Sequence, residues 1–247
     1  MKLSMVQDLI RKQQERCPVA LLTCLADGRQ SLLTPSGLEG ELALDEGLLS
    51  QARQFLAQEK SVLLGEQNEV FMRSYVPPAR LFLIGAVHIS QALAPMARLA
   101  GFEVTVIDPR RAFCKKERFP ETTLHAEWPD DIFEKCRLDS QCAVVTLTHD
   151  PKIDDPALEV ALQSDAFYIG ALGSRGTHAQ REIRLGEKGL GDQLPRIHAP
   201  VGLDLGGRAP AEIAVATLAQ IVQVRYKGRG KKCKRSQGTV SDLLSGS

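Results

Sequence analysis

The sequence predicts an α/β protein: a Rossmann-like, mostly parallel sheet preceded by a smaller N-terminal α/β domain. Three observations lead there. Residues 81–84, Leu-Phe-Leu-Ile, form a short continuous apolar run of the kind buried on both faces of a parallel sheet. A glycine turn, Gly85-Ala86-Val87-His88, follows at once and leads into an apolar repeat of helical period. A second strand pattern at 103–108 then closes a right-handed strand–helix–strand unit within about thirty residues.

In chain order, residues 6–16 have the spacing of a short amphipathic helix. Residues 19–25 read as a strand ending at the Asp27-Gly28 turn, with a β-hairpin expected next. Residues 42–59 read as a helix because Leu44, Leu48, Leu49, Ala52, Phe55 and Leu56 share a face, and 70–76 read as a strand. Pro77-Pro78 removes two successive backbone donors and biases the preceding residue toward extended geometry, so the domain boundary is placed there. The expected division is 1–76 as a small N-terminal α/β domain, 77–225 as the Rossmann-like domain and 226–247 as a basic, disordered tail.

Within the second domain, the helix at 89–100 sets Ile89, Ala92, Leu93, Met96 and Ala100 on one face, with a bend expected at Pro95 and a C-terminal cap at Gly101. Further strands are expected at 143–147 and 167–169, helical segments at 129–136 and 156–162, and a last long helix at 210–224 with Pro210 in its first turn. Asp154 and Asp155 are read as caps of the helix expected near Pro156, the alternative being that with His149 and Asp150 they form a hard-metal or acid–base site.

Composition narrows the function. A net charge of +1 and an aromatic content of 5% give neither a global pull toward nucleic acid nor base-stacking platforms, so nucleic acid is not an expected partner. The local exception is the run from Arg225 to Arg235, which holds seven basic residues and no acid and is read as solvated tail. No apolar run approaches the length needed to cross a bilayer, and the N-terminus reaches Asp8 before any apolar stretch of signal-peptide length. A cytoplasmic location is therefore expected. The six cysteines lack CxxC or zinc-ligand spacing and are read as free thiols, and no metal site is assigned.

The chemistry gathers at glycine turns. In a dinucleotide fingerprint three glycines allow a tight turn, close approach of backbone to pyrophosphate and close helix packing. Here Gly85 holds the first position, while Val87 and Ser90 occupy the second and third. Asp108 ends the second strand, where an acid can bind a ribose 2′-hydroxyl, and Arg110 and Arg111 add guanidinium groups that suit a phosphate-bearing ligand. His88 and Ala86 belong to the first turn, and His149 follows the strand at 143–147 on the same edge, where ligands of open α/β sheets collect. The turn 170–176 offers Gly173, Ser174 and Arg175 to an anion, with Arg181 and Arg184 on the helix after it. A third glycine-rich turn, 202–208, leads into the Pro210 helix and sets its amides as a further anion cradle.

Several segments together carry a family resemblance: 77–88 (Pro-Pro-Ala-Arg-Leu-Phe-Leu-Ile-Gly-Ala-Val-His), 104–110, 117–120 (Glu-Arg-Phe-Pro), 148–150 (Thr-His-Asp), 168–175, 197–206 and 210–214. In order and spacing they resemble the XdhC/CoxI family over about residues 76–224. That resemblance implies an accessory factor for a molybdenum hydroxylase of the xanthine dehydrogenase or CO dehydrogenase type. It implies a dimeric chaperone that binds the molybdenum cofactor, in mononucleotide or dinucleotide form, and delivers it to the apoenzyme, with a cofactor sulfurase as a further partner. Many members carry N-terminal Gly-Ser-x-Pro-Arg and Ser-Gly-Gly-Cys motifs; here Ser36-Gly37 is the nearest echo.

On this reading Gly85, Ala86, His88, Asp108, Arg110, His149, Gly173, Ser174 and Arg175 form the cofactor site, and the chain holds its cargo rather than turning it over. Two alternatives stay open. One is an NAD(P)-dependent oxidoreductase that uses the same pocket with His149 as its proton-transfer residue; the other is a docking protein without a small-molecule ligand.

Overall fold

Val19, Ala20, Leu21 and Leu22 all lie buried because the strand they begin is covered on both faces. A computed structural model describes residues 2–67 and 69–227; of the tail expected at 226–247, Tyr226 belongs to the last helix and 228–247 lie outside the described residues. The chain divides into two compact units, one running through Val76 and the other Pro77–Arg225.

The first unit begins with α1 (Leu3–Gln14), then β1 (Val19–Cys24), β2 (Gln30–Thr34), β3 (Gly37–Gly40), α2 (Glu46–Ala57), β4 (Val62–Leu64) and β5 (Val70–Tyr75). Its sheet has the order β3-β2-β1-β5-β4, and every neighbouring pair is antiparallel. The expected hairpin is β2–β3. Ala20, Leu22, Leu33 and Met72 pack with Leu42, Ala52 and Leu56 on one face. Val19, Leu21 and Leu32 pack with Leu9 on the other. Both expected helices are displaced at their ends. The first starts at Leu3 rather than Val6, and the second starts at Glu46 because Asp45 caps it, accepting a hydrogen bond from Leu48 N at 2.8 Å.

The second unit comprises β6 (Arg80–Ile84), α3 (His88–Leu99), β7 (Glu103–Ile107), β8 (Thr123–His125), α4 (Pro129–Lys135), β9 (Cys142–Thr146), α5 (Pro151–Leu162), β10 (Tyr168–Ala171), α6 (Arg175–Glu187), β11 (Ile197–His198) and α7 (Pro210–Tyr226). Its six strands run in the order β11-β10-β9-β6-β7-β8, each pair parallel. Alternation along β6 explains the continuous apolar run. Leu81 and Leu83 join one core cluster with Leu93 and Ala97 of α3, whereas Phe82 and Ile84 join another with Leu158 and Ala161 of α5.

Two sequence expectations are corrected here. The fifth helix begins at Pro151, not near Pro156, and its cap is Asp150, which accepts from Lys152 N at 3.0 Å. Proline is tolerated at a first helical position, and burial of Ile153, Ala157, Leu158 and Ala161 outweighs the backbone bond that Pro156 cannot make. Asp154 and Asp155 are therefore buried helix residues rather than caps. The strand expected at 167–169 runs on to Ala171, taking Gly170 out of the turn; a Cβ on Gly170 would lie 2.7 Å from Val201 Cγ2 and 2.8 Å from Tyr168 Cε1.

Strand order locates the site. β6 lies between β7 and β9, so the connections leave it in opposite directions, and the crevice outside the carboxyl ends of β6 and β9 is the topological switch point.

Candidate functional site

Gly85 ends β6 with a φ of +112°, a backbone region that side chains disfavour. A Cβ there would sit 2.6 Å from Thr148 Cγ2, so this glycine lets the turn after β9 close against the turn after β6. Ser90, in the third fingerprint position, is buried and donates its hydroxyl to the Gly85 carbonyl. Val87 is the extended N-cap residue of α3 and makes no side-chain cap, while His88 stands exposed at the first helical position.

The acid at the end of β7 turns inward. Asp108 is 0 % exposed, and its Oδ2 accepts from Ala86 N at 2.8 Å and from Arg110 Nη2 at 2.7 Å. Its Oδ1 accepts from Arg110 N at 2.9 Å and Arg110 Nε at 2.8 Å. Burial opposes its charge, but these hydrogen bonds prevail and hold the carboxyl below the usual carboxylate range. The chain's own carboxylate thus sits on the Ala86 amide of the turn, and the acid is not presented toward a ribose. Arg110 is held by the same contacts and keeps part of its guanidinium open to solvent.

After β9 the chain turns through Thr148 and His149, and His149 adopts a φ of +63°, uncommon for a residue with a side chain. Asp154, reaching back from α5, holds this turn. Its carboxylate accepts from Thr148 Oγ1 at 2.7 Å, Thr148 N at 3.4 Å and His149 N at 3.1 Å. Burial pushes the Asp154 carboxyl up to about 6 despite those donors. The His149 side chain is left exposed on the edge.

The turn after β10 is organised by helix capping. Ser174 is the N-cap of α6 and accepts from Thr177 N at 3.2 Å, and Gly173 has a φ of +143° with Thr177 packed where a Cβ would point. Arg175 is exposed at the start of α6 and also lines a cleft of about 480 Å³ with Leu203, Asp204, Leu205 and Arg208. The cradle expected at the start of α7 is already filled: Glu212 accepts from Arg208 N and Ala209 N, both at 2.9 Å. This corrects the reading of that turn, because a helix N-terminus satisfied by its own side chain has those two amides engaged.

Arg181, expected as added charge on the helix surface, lies inside instead. It is 2 % exposed, donates Nη2 to the Leu172 carbonyl at 3.0 Å, and has Nε and Nη1 buried without a partner among the described residues. Burial draws its pKa below the ordinary value. Unmet buried donors cost roughly 1–3 kcal/mol each. The signal in the sequence is its spacing, one turn before the fully buried Leu185 on the apolar side of α6.

Among the described residues, no cluster of His, Cys, Asp and Glu is arranged to hold a metal ion, and no helix is long and apolar enough to cross a membrane. Cys17, Cys24, Cys114, Cys136 and Cys142 are free thiols.

Residues 81–221 match the family described as the XdhC Rossmann domain. The chain belongs to that family. The XdhC domain covers the whole carboxyl edge just described, from Gly85 to the start of α7. Among similar proteins, YqeB of Escherichia coli, named as uncharacterized, is 34% identical over 169 residues, which are 67% of this chain and 31% of YqeB. A Bacillus subtilis protein named as a probable xanthine dehydrogenase subunit is 33% identical over 165 residues, 66% of this chain and 48% of that protein. The molybdenum cofactor insertion chaperone PaoD of Escherichia coli is 29% identical over 164 residues, 66% of this chain and 45% of PaoD. The chain thus spans between about a third and a half of the length of these relatives. A crystal structure described as a xanthine dehydrogenase of Bacillus halodurans superposes with a TM-score of 0.67 at 24% identity, over 95% of this chain and 68% of that one, a likeness of fold.

Proposed function

We propose that this chain is an accessory protein of a molybdenum hydroxylase, and that the carboxyl edge of its parallel sheet holds the molybdenum cofactor for delivery to the apoenzyme. The partner class is the apo-hydroxylase itself. Family membership and the names of PaoD and the Bacillus subtilis relative support the accessory role. The observation that carries the choice of ligand is the burial of Asp108 against Ala86 N and Arg110. A dinucleotide enzyme of this fold needs the acid free for a ribose hydroxyl and the turn open to pyrophosphate. Here the acid is engaged internally, which counts against the oxidoreductase reading with His149 as its proton-transfer residue.

What the edge leaves available suits a larger phosphate-bearing cargo. His88, His149 and Arg175 are exposed, and Arg110 presents the outer side of its guanidinium. Gly85, Ala86 and Asp108 shape the first wall from within, and Gly173 and Ser174 set the direction of Arg175. These groups are donors and cations, the chemistry that phosphate oxygens require.

Delivery is tested by reconstitution. An apo-hydroxylase is incubated with cofactor released from a molybdoenzyme, with and without the purified chain, and the recovered hydroxylase activity is measured. The expected result is a higher active fraction with the chain present and a smaller gain with Arg175→Ala. Equal recovery with and without the chain contradicts the proposal.

A further inference from the structure

Beneath the first turns of α6 lies a cavity of about 320 Å³ lined by His149, Asp154, Thr177, Gln180, Arg181 and Arg184, among others. We propose that this cavity is a binding site for a tetrahedral oxyanion of the phosphate class, with the buried Arg181 guanidinium as its anchor. The inference goes beyond the cargo reading, because its anchor is Arg181, which the cargo reading does not use, and it requires no molybdenum cofactor, although His149 borders both sites.

With Asp154 protonated, the two arginines that line this cavity, Arg181 and Arg184, face one carboxylate, that of Asp155. Arg184 is neutralised by Asp155, whose carboxylate accepts from Arg184 Nε at 2.6 Å and Nη2 at 3.1 Å. Elsewhere along α6 His178 faces Glu182, and Lys188, just after the helix, pairs with Glu159; among the described residues no ion pair joins Arg181 to an acid. Arg181 instead gives one nitrogen to a carbonyl and leaves Nε and Nη1 buried and unmet. Asp154 is near enough to favour the Arg181 charge, but its oxygens serve Thr148 and His149. A buried cation with two unmet donors, its side chain lining a cavity, calls for an acceptor-rich, negatively charged guest. Gln180 and His149 line the same space and carry further donor groups, and so does Thr177, whose hydroxyl is shared with that of Ser174.

Protonation tunes the site. Asp154 faces Thr148 and His149 from the turn after β9 and Arg181 from α6; Arg110 acts on it from the turn after β7, and Asp150 and Asp155 flank it on its own segment. As pH rises through about 6 the Asp154 carboxyl ionises and competes with a bound anion for the Arg181 charge, so affinity falls. Sulfate is the probe that separates this effect from titration of the ligand, since it keeps its charge across the range.

The test is calorimetric titration of the full chain with sulfate at about pH 5 and about pH 8, then with inorganic phosphate and with the monoester ribose 5-phosphate. Saturable binding of one ion per chain is expected, weaker at the higher pH. It should be reduced about tenfold or more by Gln180→Glu, an exposed change that sets a negative charge at the rim, and abolished by Arg181→Met. Asp154→Asn should remove most of the pH dependence. Tighter binding of the monoester assigns the site to the phosphate group of a larger ligand, and equal binding assigns it to the free ion; both support the proposal. No saturable binding, or binding untouched by Gln180→Glu, overturns it.

Discussion

Removing Arg110 would strand a carboxylate that the fold has fully buried. Arg110→Ala leaves Asp108 with Ala86 N as its one remaining side-chain-independent partner outside its own turn, and breaking a buried charge pair from one side costs about 3 kcal/mol, the low end because Arg110 is 36 % exposed. Chemical denaturation should show that loss, with a much smaller one in Arg111→Ala. Asp154 predicts an opposite dependence on pH from an ordinary paired acid. Its folded pKa of about 6 exceeds the ordinary value of 3.8, so the contribution is fully present below pH 3.8 and is lost as pH rises through about 6. The stability of wild type relative to Asp154→Asn should therefore fall by up to about 3 kcal/mol across that window, read from denaturation curves at each pH. A relative stability that rises with pH contradicts this. At this scale the sequence was legible in position more than in use. Asp108 is recognisable as a strand-end acid, but its capture by Ala86 N depends on the path of the turn. Arg181 looks like a surface charge until the helix phase is known.

The glycine that ends β6 carries the clearest prediction among the elements. Gly85→Ala places a side chain in a positive-φ region and drives its Cβ into Thr148, so it should cost about 2 kcal/mol or more in thermal or chemical unfolding. Adding Thr148→Ser, which removes the methyl group, should recover part of that loss and leave the backbone part. The helix after β9 rests on Asp150, and Asp150→Ala should cost about 1 kcal/mol. Long apolar elements were readable: β6, β7, β9, α3 and α7 lie within a residue or two of their expected places. β4 and β8, three residues each, and β11, of two, are too short for a period to register. The start of α5 was misplaced because Pro156 reads as a beginning, whereas tertiary burial carries the helix through it.

For the whole molecule, six parallel strands with β6 between β7 and β9 bring the turns after β6, β7, β9 and β10, distant in sequence, to one edge. The fold class and the place of the edge were legible because alternating strands and helices leave few topologies open. The nature of its ligand was not, since a glycine turn and a strand-end acid read alike in sequence whether that acid is free, as a dinucleotide requires, or held as Asp108 is here. Our central proposal is that this edge holds the molybdenum cofactor and not a nicotinamide dinucleotide. Equilibrium dialysis of the purified chain against cofactor released from a molybdoenzyme, and separately against NADH and NADPH, tests it directly. Retention of the released cofactor at micromolar concentration is expected, reduced in Arg175→Ala, with no retention of either dinucleotide. Retention of NADH or NADPH without retention of the molybdenum cofactor would contradict it.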